Sequence, residues 1–324
     1  MSARRARVLV GLAAAAAAAV VVGVAVLQGE GESAPATTEA ERSAPPLELG
    51  LLARSGGEAE ALREAERLLD EGDRAGGLAR FEQLLAENPG SIEAAVGAAI
   101  ASWPDGTLER LEALAAESPE SGVVQLHLGL ALLARGDEEG ARAAWREAER
   151  VEPDSPAALR AEDLLNPQFA PGRPPFVAPL ETPPELEGLS PEEQLAELER
   201  QAAAGGAEER LVYGIALQRV GRPVSARSAF ASALEADPES LPAKVADAIG
   251  RFDKDDPSQT FSRLGPLAGS DEDGIVRYHL GLALSWMGQV DEAIRQLRLA
   301  READPDGFYG REAQRLLERL EDVD

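Results

Sequence analysis

The chain contains no cysteine; histidine and methionine occur twice each in 324 residues, and aromatics make up 4%. The first absence removes disulfides, thiolate nucleophiles and thiolate metal sites together. A nucleophile needs a base within hydrogen-bond reach, and the only imidazoles here, His127 and His279, sit in no catalytic signature. Patterns of the G-x-S-x-G, H-E-x-x-H, Walker and dinucleotide-binding glycine types are also lacking. Lysine is nearly missing, since only Lys244 and Lys254 stand among 32 basic residues, which face 58 acidic ones. A net charge of -26 repels a phosphate backbone, so nucleic acid is not expected as a partner. Two acidic loops, 253–256 and 270–274, lack the spacing and final bidentate Glu of a calcium loop and read as turns between helices. No catalytic residue, metal site or cofactor is therefore expected.

A long apolar run occurs in one place. Val8 to Leu27 is 20 residues without a polar side chain, which at roughly 1.5 Å per residue crosses a hydrocarbon core about 30 Å thick. Arg4, Arg5 and Arg7 precede it and Glu30 and Glu32 follow. The positive-inside rule then leaves residues 1–7 as a cytoplasmic basic tail, 8–27 as a single-pass cell-membrane anchor, and the remainder extracytoplasmic. A cleaved signal peptide is the rival reading; its apolar core would run about 7–15 residues, and the nearest A-x-A pattern, at Ala34 and Ala36, lies well past Leu27. Gly11, Ala15, Ala19 and Gly23 form a small-residue ridge suited to pairing two anchors in a homodimer. Residues 28–46, rich in Gly, Ser, Pro and Glu, read as a flexible tether.

Ala, Leu, Glu, Arg and Gly dominate the rest, a composition that favours helices with small residues at their contacts. The stretch HLGLAL occurs at 127–132 and again at 279–284. Aligning the copies brings Leu128, Gly129, Leu132, Gly136, Ala141, Trp145, Ala148 and Pro153 into register with Leu280, Gly281, Leu284, Gly288, Ala293, Leu297, Ala300 and Pro305. A third copy runs through Tyr213, Gly214, Leu217, Gly221, Ala226, Phe230, Ala233 and Pro238, and a weaker fourth through Ala65, Leu68, Gly72, Gly77, Phe81, Leu84 and Pro89. Each reads as two amphipathic helices joined by a tight turn. Gly136 takes the positive φ that ends the first helix, Pro153 stops the second, and Gly129 faces Ala141 so that the two can close up. This spacing resembles the tetratricopeptide repeat (TPR), a helix-turn-helix unit of about 34 residues. The resemblance implies an all-α, superhelical array of such units in a membrane-anchored bacterial protein, preceded here by the one transmembrane helix.

The correspondence extends beyond one repeat. Gly72, Phe81 and Pro89 match Gly221, Phe230 and Pro238 at an offset of 149, which becomes 152 after a middle unit that lacks the central glycine. That middle unit carries WPDG (103–106) in one copy and FDKDDP (252–257) in the other. Residues 47–165 and 191–324 thus form two duplicated modules, each expected to have a leading helix, three helical pairs and a closing helix. Between them, 166–190 is a Pro-rich linker that cannot be helical and should run extended. Its Phe169, Phe176, Val177 and Leu180 are too apolar for a bare spacer and are expected to dock on a module. Ser190, Pro191 and Glu193 restart the second module as a capping box.

In the family, a groove is lined mainly from the first helix of each pair. The resemblance therefore implies a partner-binding lining that includes Leu126, Leu130, Gln218, Arg219, Tyr278, Leu282 and Trp286, with His127 and His279 beside it. Tyr278 and Trp286 suit the role of amphipathic anchors. The histidines admit two readings, a packing residue inherited by duplication or a partner contact. The function expected is non-catalytic: an extracytoplasmic scaffold or assembly factor that binds a protein or an extended peptide segment. Two alternatives stay open, a factor for biogenesis of envelope complexes (cytochrome maturation or cell-wall machinery), and a ligand- or metal-binding protein using the acidic loops.

Overall fold

The computed structural model describes residues 44–269 and 273–321, which hold α-helices, three short 3₁₀ turns and no strand. The expected anchor at 8–27, the basic tail and the tether as far as residue 43 lie outside the described residues, as do Ser270, Asp271 and Glu272 of the second acidic loop. No helix among the described residues is long and apolar enough to cross a membrane.

The described chain forms two compact units. In the first, the extended segment 44–49 accompanies helices α1 (Gly57–Asp70), α2 (Arg74–Glu87), α3 (Ile92–Ala101), α4 (Thr107–Glu117), α5 (Gly122–Arg135) and α6 (Glu138–Val151). The second unit holds Gly50–Ser55 and everything from Glu152 onward. Its helices are α7 (Pro156–Leu165), α8 (Pro191–Ala204), α9 (Ala207–Arg219), α10 (Pro223–Ala236), α11 (Leu241–Gly250), α12 (Ser258–Leu264), α13 (Asp273–Trp286), α14 (Val290–Ala303) and α15 (Phe308–Glu321).

Helix-turn-helix pairing follows from where glycine falls. Gly136 ends α5 in the left-handed region at φ 89°, and its amide returns to the carbonyl of Leu133 while that of Asp137 returns to Leu132. Inside the pairs, glycine serves closeness rather than turning. A Cβ at Gly129 would lie 2.3 Å from Nε1 of Trp145 and 3.0 Å from the carbonyl oxygen of Ala141. The same arrangement recurs at Gly214 against Phe230 (2.3 Å) and Gly281 against Leu297 (2.7 Å). Each glycine on a first helix is thus the seat of the large residue on the second. The middle pairs replace that device with a buried hydroxyl: Thr107 bonds the carbonyl of Ala99 at 2.9 Å, and Thr260 bonds that of Ala248 at 3.1 Å.

The restart at Ser190 forms as expected, with the Ser190 hydroxyl accepting from the Glu193 amide and the Glu193 carboxylate accepting from the Ser190 amide. The leading helix of the first module does not form. Only the 3₁₀ turn Leu51–Ala53 stands there, between Gly50 (φ 67°) and Gly56 (φ 94°), while 44–49 runs extended. Two prolines and two left-handed glycines leave too few residues between them to nucleate an α-helix.

Helix α7 packs within the second unit and is tied to it by buried charge. Asp163 pairs with Lys254, whose side chain is fully buried, and also accepts from the Gly172 amide at 2.7 Å. Glu162 holds Arg173 at 2.9 Å. Asp154, just before α7, accepts from the amides of Val224 and Ser225 at 2.8 and 2.9 Å and so caps the first turn of α10. Lys254, which in the sequence belongs to an acidic turn, is therefore a structural cation inside the core.

Two stability outcomes follow. Gly129→Ala forces a methyl into the Trp145 ring and should cost about 1–3 kcal/mol in urea unfolding, whereas Gly265→Ala, where a Cβ meets nothing within 4 Å, should stay close to wild type. Lys254→Met strands a carboxylate and should cost about 3–5 kcal/mol by the same measurement, a loss absent if the pair contributes nothing net.

Candidate functional site

Non-helical polypeptide lies on the first helices of the pairs in both units. In the second unit the residues from Ala170 to Leu180 form a strap, bound through its backbone. The Ala170 amide donates to the Trp286 carbonyl at 3.1 Å, and the Trp286 indole Nε1 donates to the Pro171 carbonyl at 3.1 Å. Farther along, the Phe176 amide donates to Oε1 of Gln218 on α9, and the Val177 amide donates to Nε2 of His279 on α13, both at 3.0 Å. Phe176 is 1% exposed; its ring stacks on that of His279 (5.2 Å between centroids) and meets Phe230 edge-on at 5.5 Å. Phe230 in turn fills the space that Gly214 and Gly250 leave open.

The first unit repeats this. Its strap is 44–49, in which the Glu48 amide donates to Nε2 of His127 on α5 at 3.0 Å, and the Leu49 amide donates to Oε1 of Glu66 on α1 at 3.2 Å. Burial raises the Glu66 carboxyl above its ordinary range, against the opposing effect of the Leu49 amide. Ala44, Pro45 and Pro46, the end of the stretch read as a tether, are thus part of this strap. The two straps share a local pattern, Pro45-Pro46-Leu47-Glu48 and Pro174-Pro175-Phe176-Val177, and in each the fourth residue's amide meets the histidine.

Both histidines are held by the same geometry. Nδ1 lies 2.7 Å from the carbonyl oxygen of Val123 in one case and 2.8 Å from that of Ile275 in the other, so it carries the proton and Nε2 is left as an acceptor for the strap. Both rings are fully buried, and desolvation drives their pKa down from 6.5 to about 4, outweighing the carbonyl bond that would raise it. Neutral imidazole is the form the strap needs.

The expected lining is placed as follows. Leu126, Leu130, Tyr278, Leu282 and Trp286 are buried, with exposures of 5% or less. Tyr278 packs edge-on against His279 and beside Tyr309, and burial raises the phenol pKa of both tyrosines. Gln218 is half-buried beneath the strap, and Arg219 is exposed at the end of α9. His127 and His279, which the sequence sets beside the lining, are the strap's acceptors. The strap does not fill the face it covers. A cavity of about 750 Å³ remains beside Ala178, Pro179 and Leu180, reaching Leu211 on α9, Leu241 on α11, and Ile275 and Tyr309. No cluster of metal-binding side chains occurs among the described residues.

The deciding observation is the recurrence of one packing rule, glycine on a first helix seating a large residue of the second, in three helical pairs: Gly129 with Trp145, Gly214 with Phe230 and Gly281 with Leu297. These pairs are TPR-like in their packing. No family model and no curated protein matches the chain. Among solved structures it is similar to a thermophilic TPR protein of Thermus thermophilus, with 24% identity over 60% of this chain and 98% of that one, at a TM-score of 0.29. It is also similar to a tetratricopeptide repeat protein of Parabacteroides merdae (11% identity, 81% of this chain and 98% of that one, TM-score 0.33). A third likeness is the P58(IPK) TPR domain (15% identity, 81% of this chain and 77% of that one, TM-score 0.28). Whole-chain superposition on all three is loose.

The lowered histidine pKa has a defined sign. Between about pH 6.5 and 4 the unfolded chain takes up a proton at each histidine and the folded one does not, so stability is full above that window and declines as pH falls through it. Urea midpoints should fall from about pH 7 to about pH 5. Replacing both histidines by Gln, which retains an acceptor, should remove most of that slope; an unchanged slope would assign it to other groups.

Proposed function

We propose that this TPR-like protein is a membrane-anchored, extracytoplasmic scaffold or assembly factor that binds a protein or an extended peptide segment and catalyses no reaction. The observation that carries the binding reading is the mode of strap attachment. Non-helical backbone lies on the first helices of the pairs with amides satisfied by side chains of those helices, which is the chemistry of peptide capture. An unfilled cavity of about 750 Å³ continues along that face. The anchor and the side of the membrane rest on the sequence alone: an apolar run of 20 residues behind three arginines.

A photo-reactive side chain at Leu180, on the cavity wall, gives the direct test. Irradiation in intact cells followed by detergent extraction should yield a heavier adduct whose second component is identified by mass spectrometry. Recovery of the protein only with itself or alone would end the scaffold reading. Retention in the membrane pellet after alkaline carbonate, with the repeats digested by protease added outside the membrane, checks the anchor and its orientation; release to the supernatant would remove both.

A further inference from the structure

We propose that the first-helix face of each unit is a binding site for peptides of the form Pro-Pro-Φ-X, where Φ is a large apolar residue and X retains its amide hydrogen, and that the two straps are such ligands supplied by the chain itself. This rests on the reading that the array binds extended polypeptide, and it names the class of peptide.

Two examples of the ligand are present. Pro45-Pro46-Leu47-Glu48 and Pro174-Pro175-Phe176-Val177 agree in the prolines and in the apolar third residue. They differ at the fourth, an acid in one and an aliphatic in the other, yet the amide of that residue makes the same 3.0 Å bond to a histidine on the third pair. What is read is therefore backbone, set in an extended path by prolines that have little conformational freedom to lose. Pro45 and Pro174 are buried, Leu47 is half-buried, and Phe176 is buried between His279 and Phe230. The fourth residue, Glu48 or Val177, is only half-buried, which explains its freedom to vary.

The second strap is buried at Pro174 and Phe176 and partly open beyond them. Val177, Ala178 and Leu180 keep one side open, and the strap forms one wall of the 750 Å³ cavity instead of closing it. A peptide from a partner would use the same acceptors, Gln218 and His279, only while the strap is displaced. Its apparent affinity in the intact chain is then reduced by the fraction of time the strap is away.

The test uses a fluorescent peptide with the strap sequence Pro-Pro-Phe-Val-Ala-Pro and a control peptide in which proline replaces the valine and so removes the one amide hydrogen that His279 accepts. In the full chain carrying Phe176→Ala, with helicity confirmed by circular dichroism, the first peptide should bind at least about tenfold more tightly than in wild type and at least about tenfold more tightly than the control peptide. A folded variant that binds neither peptide, or both equally, overturns the proposal. Should that variant not fold, hydrogen exchange on wild type replaces it. The first peptide at millimolar concentration should accelerate exchange of the Val177 amide and the control peptide should not; no acceleration overturns the proposal. A partner captured at Leu180 without peptide binding would leave the scaffold reading standing and remove only this one.

Discussion

A hydrogen bond between a strap amide and an uncharged imidazole is the constraint on which each unit turns. An extended segment laid over helices cannot satisfy its amides in a ladder, and an amide covered without an acceptor costs about 1–3 kcal/mol. Away from their last turns the helices have already spent their carbonyls internally, so a side-chain acceptor is required there. Histidine supplies one and, through Nδ1, fixes its own tautomer against a carbonyl of its own helix, at Val123 or Ile275. Only the neutral ring does both, and full burial ensures that it is the neutral ring that is present.

Around that bond, close helix packing supplies the rigidity. Gly129, Gly214 and Gly281 let Trp145, Phe230 and Leu297 press onto the backbone of the facing helix. In the second unit this reaches the strap directly, because Phe230, seated on Gly214, presents its other side to Phe176. Packing and peptide attachment are therefore one continuous cluster from α9 through α10 to the strap, and the histidine on α13 closes it.

The helical pairs were legible in the sequence because their packing positions recur at nearly constant offsets and each has a plain steric reason. Gly136 had to end a helix and Gly129 had to admit a neighbour, and both do. The docking of Phe176 was legible as well, from apolar residues in a segment too proline-rich for helix. The straps as a repeated device were not. Pro45-Pro46 and Pro174-Pro175 stand 129 residues apart, outside the offsets of 149 and 152 that align the helices, and four residues are too few to declare themselves. The signal that would have found them is a Pro-Pro-apolar triplet ahead of each histidine-bearing array. Lys254 was hidden for a related reason, since a lysine in an acidic turn looks solvated until Asp163, 91 residues away, is seen to meet it.

The attachment of α7 changes how the chain can be divided. A fragment started at the capping box of Ser190 would look complete by helix count, with a clean N-terminus and every pair intact. It would lack Asp163, leaving the ammonium of Lys254 buried without its counter-ion, and it would lack Phe176, leaving His279 without its stacking partner and its donor. The capping box that restarts the helices and the point where the compact unit takes up the chain are separated here by more than thirty residues, from Ser190 back to Glu152.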